Sequence, residues 1–368
     1  MSEIVLDAPS RTVPSPVVRE HFTFNGSASE YFGIWIVNVL LTILTLGIYS
    51  AWAKVRRQRY FYGNTVLAGA TFDYHASPKQ ILFGRFIVVF LLILYNVLTT
   101  VAPLAGIVVS LGFVFAIPWF VMRGLRFSAR VTSYRNVRFD FNGGYGRALL
   151  AYIVGPILAF VSLGILAPLA SSWMWRYTLG NVRYGDRPVR CEPALGKFYG
   201  QWWLPALLLG LGLVALVVAV LLVAFVDWLA TTDTEFAGAL AGAIIESIFI
   251  SLLPTALILA LILVARLVYQ AGIRNVAFNA TVIDDRHRLV SSIHRGRFTW
   301  ISASNLAATI ATLGLARPWA AVRMARYLAT TTALDAGGSL EDYSSTLADT
   351  GSAVGSEYMD IEGFDFGF

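Results

Sequence analysis

The sequence predicts an all-α polytopic membrane protein, and three observations carry that prediction. The 368 residues are 57% hydrophobic and 14% charged, with a mean hydropathy of +0.65, far from the composition of a soluble domain. Four stretches, 81–101, 103–122, 204–226 and 237–265, are long enough to cross a hydrocarbon layer of about 30 Å, which needs roughly twenty apolar residues. A sixteen-residue phrase closes an apolar stretch at three places, and such repetition sets an architecture before any motif does.

The chain opens with a polar, proline-bearing segment, 1–20, that has no apolar core, so no cleaved signal peptide is expected. Repeat 1 occupies 21–78. Its phrase, Thr45-Leu46-Gly47-Ile48-Tyr49-Ser50-Ala51-Trp52-Ala53-Lys54-Val55-Arg56-Arg57-Gln58-Arg59-Tyr60, returns in repeat 3 (273–330), from Thr312 to Tyr327, with nine of sixteen positions identical. Repeat 2 (127–200) keeps Leu163, Gly164, Ile165, Ala170, Arg176 and Tyr177. In each copy an apolar helix meets Leu-Gly, where glycine can end a helix in the left-handed conformation, and a second, basic helix begins. Ser50 suits the N-cap of that helix in the first copy; Pro168 and Pro318 suit its first turn in the others. Broken backbone at membrane depth is tolerated where protein or a wet cavity covers it, so the breaks are expected to face inward.

Two transmembrane hairpins, 79–126 and 201–272, separate the repeats. Lys79, Arg85, Arg123, Arg126, Arg130, Lys197, Arg266 and Arg274 mark their outer ends, whereas the connection 227–235 holds three acids and no base. The positive-inside rule places the outer ends in the cytoplasm. Seven simple spans would scatter the basic segments over both faces; four full spans with three re-entrant repeats keep them together. Short alternating runs at Phe22–Gly26, 65–74, 137–143, 182–184 and 276–283 predict strands and Asn-Gly hairpins. Phe22, Phe24, Asn25, Gly26 and Asn64 recur 117 residues on as Phe139, Phe141, Asn142, Gly143 and Asn181, so the strands belong to the repeat and are expected to form a small cytoplasmic sheet.

No Lys or Arg follows Arg326, and eight of the 22 acids lie between Asp335 and Asp365. Residues 1–329 therefore carry all 28 bases against 14 acids, a formal +14, and the segment 331–368 carries −8. That tail is expected to be solvated and cytoplasmic, and its Phe364, Phe366 and Phe368 leave docking onto the basic body open. The basic residues flank apolar spans, so phospholipid is the expected anionic partner and nucleic acid is not. Cys191 is the one cysteine, which excludes an intrachain disulfide.

On the basic helices, Trp52, Arg56, Arg59 and Tyr60 share one face, and Trp319, Arg323, Arg326 and Tyr327 repeat it; Arg176 is the matching arginine of repeat 2. Interfacial anchoring explains these residues, and so does a site where planar guanidiniums bind a lipid headgroup or an anion. Glu246 is a carboxylate inside a predicted span, with Gly238 and Gly242 on its face, and is a candidate intramembrane polar site together with Asn38, Asn305 and Asn96. Amides in such positions usually join helices. His287 and His294 lack a third ligand for zinc, and neither a metal site, a cofactor site nor a catalytic constellation is expected.

The strand phrase Phe22-Thr23-Phe24-Asn25-Gly26, the Thr-Leu-Gly-x-x-x-Ala/Pro-Trp-Ala-x-Val-Arg copies and the acidic end 357–368 resemble the YjgN-like family of bacterial inner-membrane proteins, over nearly the whole chain. Leu169 and Trp173 depart from the pattern in the middle copy. The resemblance implies a bacterial cytoplasmic-membrane location and a partnership with a membrane-linked zinc metallopeptidase; it brings no catalytic residues. The expected function is transport, or lipid and anion handling, at a site between the repeats lined by Arg59, Arg176, Arg326, Asn38 and Asn305. A non-catalytic scaffold or regulator is the alternative, and a homo-oligomer stays open.

Overall fold

A computed structural model describes residues 17–232, 240–338 and 340. Five helical hairpins, each held between two short strands, follow one another. The first runs β1 (Val17–His21), β2 (Thr23–Phe24), α1 (Ala28–Leu44), α2 (Ser50–Gly63), β3 (Thr65–Leu67), and the second β4 (Ala70–Tyr74), α3 (Pro78–Val101), α4 (Pro103–Arg130), β5 (Thr132–Tyr134). The third is β6 (Val137–Phe141), α5 (Tyr145–Val161), α6 (Ala167–Gly180), β7 (Val182–Tyr184). The fourth is β8 (Arg187–Cys191), α7 (Leu195–Thr232), α8 (Leu240–Asn279), β9 (Thr281–Ile283), and the fifth β10 (His287–Ser291), α9 (Arg295–Ala311), α10 (Arg317–Thr330), β11 (Thr332–Gly337). The repeats and the transmembrane hairpins are thus five variants of one unit.

The eleven strands form a single antiparallel sheet in the order β1-β11-β10-β9-β8-β7-β6-β5-β4-β3-β2. Only Phe22 separates β1 from β2, so the two edges of the sheet are one stretch of chain and the sheet closes on itself as a barrel. Across the seam Phe22 N–H donates to Thr332 O (3.1 Å), and Arg19 grips Asp335, its register partner, through two hydrogen bonds of 2.6 and 2.9 Å. The expectation of an all-α fold with a small sheet is overturned. Strands of two to six residues carry too little alternation to register against so many helical residues, and β1, β5, β8, β10 and β11 went unread. Closure supplies what such short strands lack singly, because a barrel leaves no edge of unsatisfied N–H and C=O groups.

Every hairpin is pinned the same way. Just past the leading strand of each unit a backbone N–H donates to the carbonyl just before the trailing strand: Asn25 to Asn64 (2.9 Å), His75 to Val131 (2.7 Å), Asn142 to Asn181 (2.9 Å), Glu192 to Ala280 (3.3 Å) and Ser292 to Thr331 (2.9 Å). The Asn-Gly pairs sit here, at the passage from strand to helix, and not in hairpin turns as expected. A Cβ on Gly26 would lie 2.7 Å from the Phe24 ring, and one on Gly143 2.5 Å from the Phe141 ring and 2.7 Å from the Tyr177 hydroxyl. The tight turns between units use Ala68-Gly69 and Arg135-Asn136, whose positive φ angles match the twist of a two-residue hairpin.

Four helices, Pro78–Val101, Pro103–Arg130, Leu195–Leu222 and Thr255–Asn279, are long and apolar enough to cross a membrane. The three repeats make shorter hairpins whose glycine breaks lie at exposed tips, with Leu46, Leu163 and Leu313 94%, 92% and 96% exposed. The expectation that the breaks face inward is therefore overturned, for a physical reason: each tip satisfies its own backbone. Gly47, Gly164 and Gly314, all at positive φ, donate N–H back five residues at 2.7 Å. The hydroxyls of Thr45, Ser162 and Thr312 accept the N–H four residues on, at 2.9 Å, and so start the second helix. Ser50 is not the N-cap; the threonine of Thr-Leu-Gly does that work. In α5 the segment Leu150–Val154 is a π-turn, from which Gly155 N–H reaches Leu150 O, and it lets the helix absorb Pro156 with its missing donor.

Gly143→Ala overpacks the pinning contact and lowers the unfolding midpoint, at a cost of about 1–3 kcal/mol. Gly33→Ala, with nothing within 4 Å of its Cβ, leaves the midpoint unchanged or raises it. Thermal unfolding in detergent, followed by tryptophan fluorescence, checks both.

Candidate functional site

The residues of the repeat phrase fall into two groups. Within the first hairpin Arg56 Nη1 donates to Asn38 Oδ1 (3.5 Å) and to the Tyr49 hydroxyl (3.2 Å). Within the fifth, Arg323 Nη1 donates to Asn305 Oδ1 (3.0 Å) and Ser304 Oγ (2.8 Å), and Asn305 donates to Ala320 O (3.0 Å). Each asparagine of the first helix thus meets an arginine of the second. The middle repeat replaces both partners together, with Gly155 and Trp173 at the matching positions, so the swap removes a buried amide along with the charge that would meet it. Arg323 lies over the ring of Trp319 at 5.0 Å, and Trp52 packs on the cluster of Ala51, Val55 and Ile81.

The other arginines join one unit to the next. Arg59 Nε donates to Tyr74 O (3.3 Å), Arg126 Nε to Phe141 O (3.2 Å), Arg176 Nη2 to Pro193 O (2.9 Å) and Arg326 Nη2 to Gly26 O (3.2 Å). In the fourth unit Asn275 Nδ2 takes this role, donating to Ile293 O (2.8 Å). The contacts run around the barrel, and Arg326 returns from the last unit to the first. Arg59, Arg176 and Arg326 are therefore brought into one ring of equivalent positions and not into one cavity. Asn96 donates to Leu92 O of its own helix (2.8 Å), apart from the other amides. Gly238 and the side chain of Glu246 lie outside the described residues.

A cavity of about 470 Å³ occupies the barrel lumen. Phe22, Phe72, Tyr134, Phe139, Tyr184 and Leu289 line it from the strands, and Arg274, Phe278, Ala325 and Leu328 close its helix side. Tyr134 and Tyr184 donate their hydroxyls to backbone carbonyls, Leu67 O (2.8 Å) and Tyr134 O (3.0 Å). Leu340, past the end of β11, also lines it, so the start of the acidic tail borders the lumen. Arg274 read only as a flanking charge in sequence; the one legible hint of an aromatic lumen was the recurrence of Phe22 as Phe139.

His287 also lines the cavity, 2% exposed, with Nδ1 accepting Gly337 N–H at 3.2 Å. Burial holds its pKa below the ordinary 6.5, Asp284 opposes that shift and Arg286 adds to it. His294 lies elsewhere, at the start of α9, accepting Arg297 N–H.

A closed β-barrel carrying five helical hairpins, four of whose helices can cross a membrane, defines an integral membrane protein whose cavity lies at the barrel end of those helices, the last of which lends it Arg274 and Phe278. The chain belongs to the family described as bacterial protein of unknown function (DUF898), which it matches over residues 19–361. It is similar to Inner membrane protein YjgN of Escherichia coli O157:H7, 34% identical over 169 residues, 45% of this chain and 40% of that protein. It is similar too to Inner membrane protein YjgN of Salmonella typhimurium, 35% identical over 150 residues, 40% of this chain and 38% of that protein. The chain thus spans about two fifths of the length of the curated relatives it matches. No solved structure matches it.

A histidine whose folded pKa is lowered contributes stability that is present above its unfolded pKa and is lost as the pH falls through the folded one. The midpoint of the native protein minus that of His287→Gln is therefore expected to shrink as the pH falls from 7.5 through 6.5, read by thermal unfolding at each pH.

Proposed function

We propose that this is a bacterial inner-membrane protein that handles a lipid-derived amphiphile in a barrel standing at the cytoplasmic face. The observation that carries this reading is the place of the cavity: an aromatic lumen closed on one side by the barrel ends of the hairpin helices, Arg274 and Phe278 of the span Thr255–Asn279 among them, and so within reach of lipid. The inner-membrane name of the YjgN relatives supports the location. The basic outer ends of all the hairpins meet the barrel, which supports a cytoplasmic barrel and tail by the positive-inside rule. The short repeats then dip into the bilayer from that face with their leucine tips in hydrocarbon, and the Trp and Arg of their second helices suit headgroup depth.

The contacts of Arg59, Arg176 and Arg326 with backbone carbonyls argue against a transport path between the repeats. They favour, as a second reading, a non-catalytic scaffold presented to a partner such as a membrane-linked zinc metallopeptidase. No catalytic role is assigned.

Native mass spectrometry of the detergent-purified protein is expected to show one retained amphiphile per chain, and Leu289→Trp, which fills the lumen, is expected to lose it. A bare native protein would turn the balance to the scaffold. For orientation, Asp285→Cys is expected to react with an impermeant maleimide in inverted membrane vesicles and not in spheroplasts. Cys191, buried, contributes little background. The reverse pattern would place the barrel outside.

A further inference from the structure

We propose that the lumen binds a long-chain fatty acid, its carboxylate on Arg274 and its acyl chain among the aromatic rings. This rests on the amphiphile reading above and names the ligand class. Arg56 and Arg323, like Arg274, have only neutral partners, but Arg274 lines the cavity. Arg19, Arg130 and Arg190 meet Asp335, Asp140 and Asp285, and Arg59, Arg126, Arg176 and Arg326 meet backbone carbonyls. Arg274 has only neutral hydroxyls, Nη1 donating to Ser291 Oγ (2.8 Å) and Nη2 to Thr332 Oγ1 (3.0 Å), with its guanidinium 4.1 Å from the centre of the Phe278 ring. Both hydroxyls are committed elsewhere as donors, Ser291 to Asn275 Oδ1 (2.7 Å) and Thr332 to Leu328 O (2.7 Å), so each offers the arginine a fixed lone pair. The guanidinium is oriented on three sides while its charge stays uncompensated among the described residues. A half-buried charge without a counter-ion carries a desolvation cost, and its remaining N–H groups match an oxyanion.

The rest of the wall selects the ligand. Among the described residues Arg274 is the only Lys or Arg lining the cavity, and burial disfavours the charged form of His287, so the lumen suits a single negative charge. Phe22, Phe72, Phe139 and Leu289 offer nothing to a second polar group. The volume, about 470 Å³, lies in the lower half of the range for small-molecule pockets and suits one acyl chain rather than the two chains and glycerol of a phospholipid.

The test uses the full chain in nanodiscs of phosphatidylcholine, with radiolabelled palmitate and its neutral analogue hexadecanol. Palmitate is expected to bind one to one. Arg274→Gln is expected to weaken it about 10- to 100-fold, the range for a charge-assisted pair, while hexadecanol changes by less than about 3-fold. Because Arg274→Gln also loses its two hydroxyl contacts, a second measurement needs no variant: the carboxyl resonance of ¹³C1-palmitate bound to native protein is expected to stay ionised to a lower pH than in detergent alone. Equal binding of palmitate by Arg274→Gln, an unshifted carboxyl titration, or displacement by lysophosphatidylglycerol in preference to oleate would overturn the assignment while leaving an amphiphile site standing. Binding of none of these by folded native protein would remove both.

Discussion

The leading and trailing strands of each helical hairpin pair with one another, and a backbone hydrogen bond just beyond the pair closes the unit at its root. Everything else in the molecule depends on that constraint. It forces each hairpin to leave and rejoin the barrel at one place, whether its helices run for 14 residues or for 40. Hairpin length can therefore vary freely between units while the barrel keeps its register. Long and short hairpins alternate on one scaffold because the root, and not the helix, is what repeats.

Closure of the barrel follows from the same constraint applied around a ring. Ten strands come in five root pairs, tight turns join the pairs, and the stretch from Val17 to Phe24 serves both edges. The side-chain contacts from Arg59, Arg126, Arg176, Asn275 and Arg326 tie each second helix to the next root, with the last tied to the first. A lumen enclosed this way is shielded from water on its sides, so a charge placed in it feels little screening. Arg274 occupies that position, with two hydroxyls and the Phe278 ring as its partners.

Much of this was legible in particular residues. The apolar stretches marked the four long helices, although the helices run on past them, α4 to Arg130 and α8 to Asn279, to reach the barrel. The threonine and glycine of Thr-Leu-Gly marked the breaks, and the recurrence of Phe-x-Phe-Asn-Gly marked two roots. The site was less legible. Its walls come from strands dispersed between Phe22 and Leu334, each too short to announce a face, and Arg274 sat among other flanking arginines with nothing to single it out.

By itself the sequence determined where the chain is apolar, where it turns and where its charge lies, because these depend on residues near one another along the chain. It determined the hairpins and their tips in this way. Only the tertiary structure decided that the strand fragments join into one barrel, that the repeat arginines hold its units together, and that Arg274 faces an aromatic lumen. Those outcomes depend on pairings between residues as far apart as Arg19 and Asp335, and a two-residue strand has no preference of its own until its neighbours close the ring.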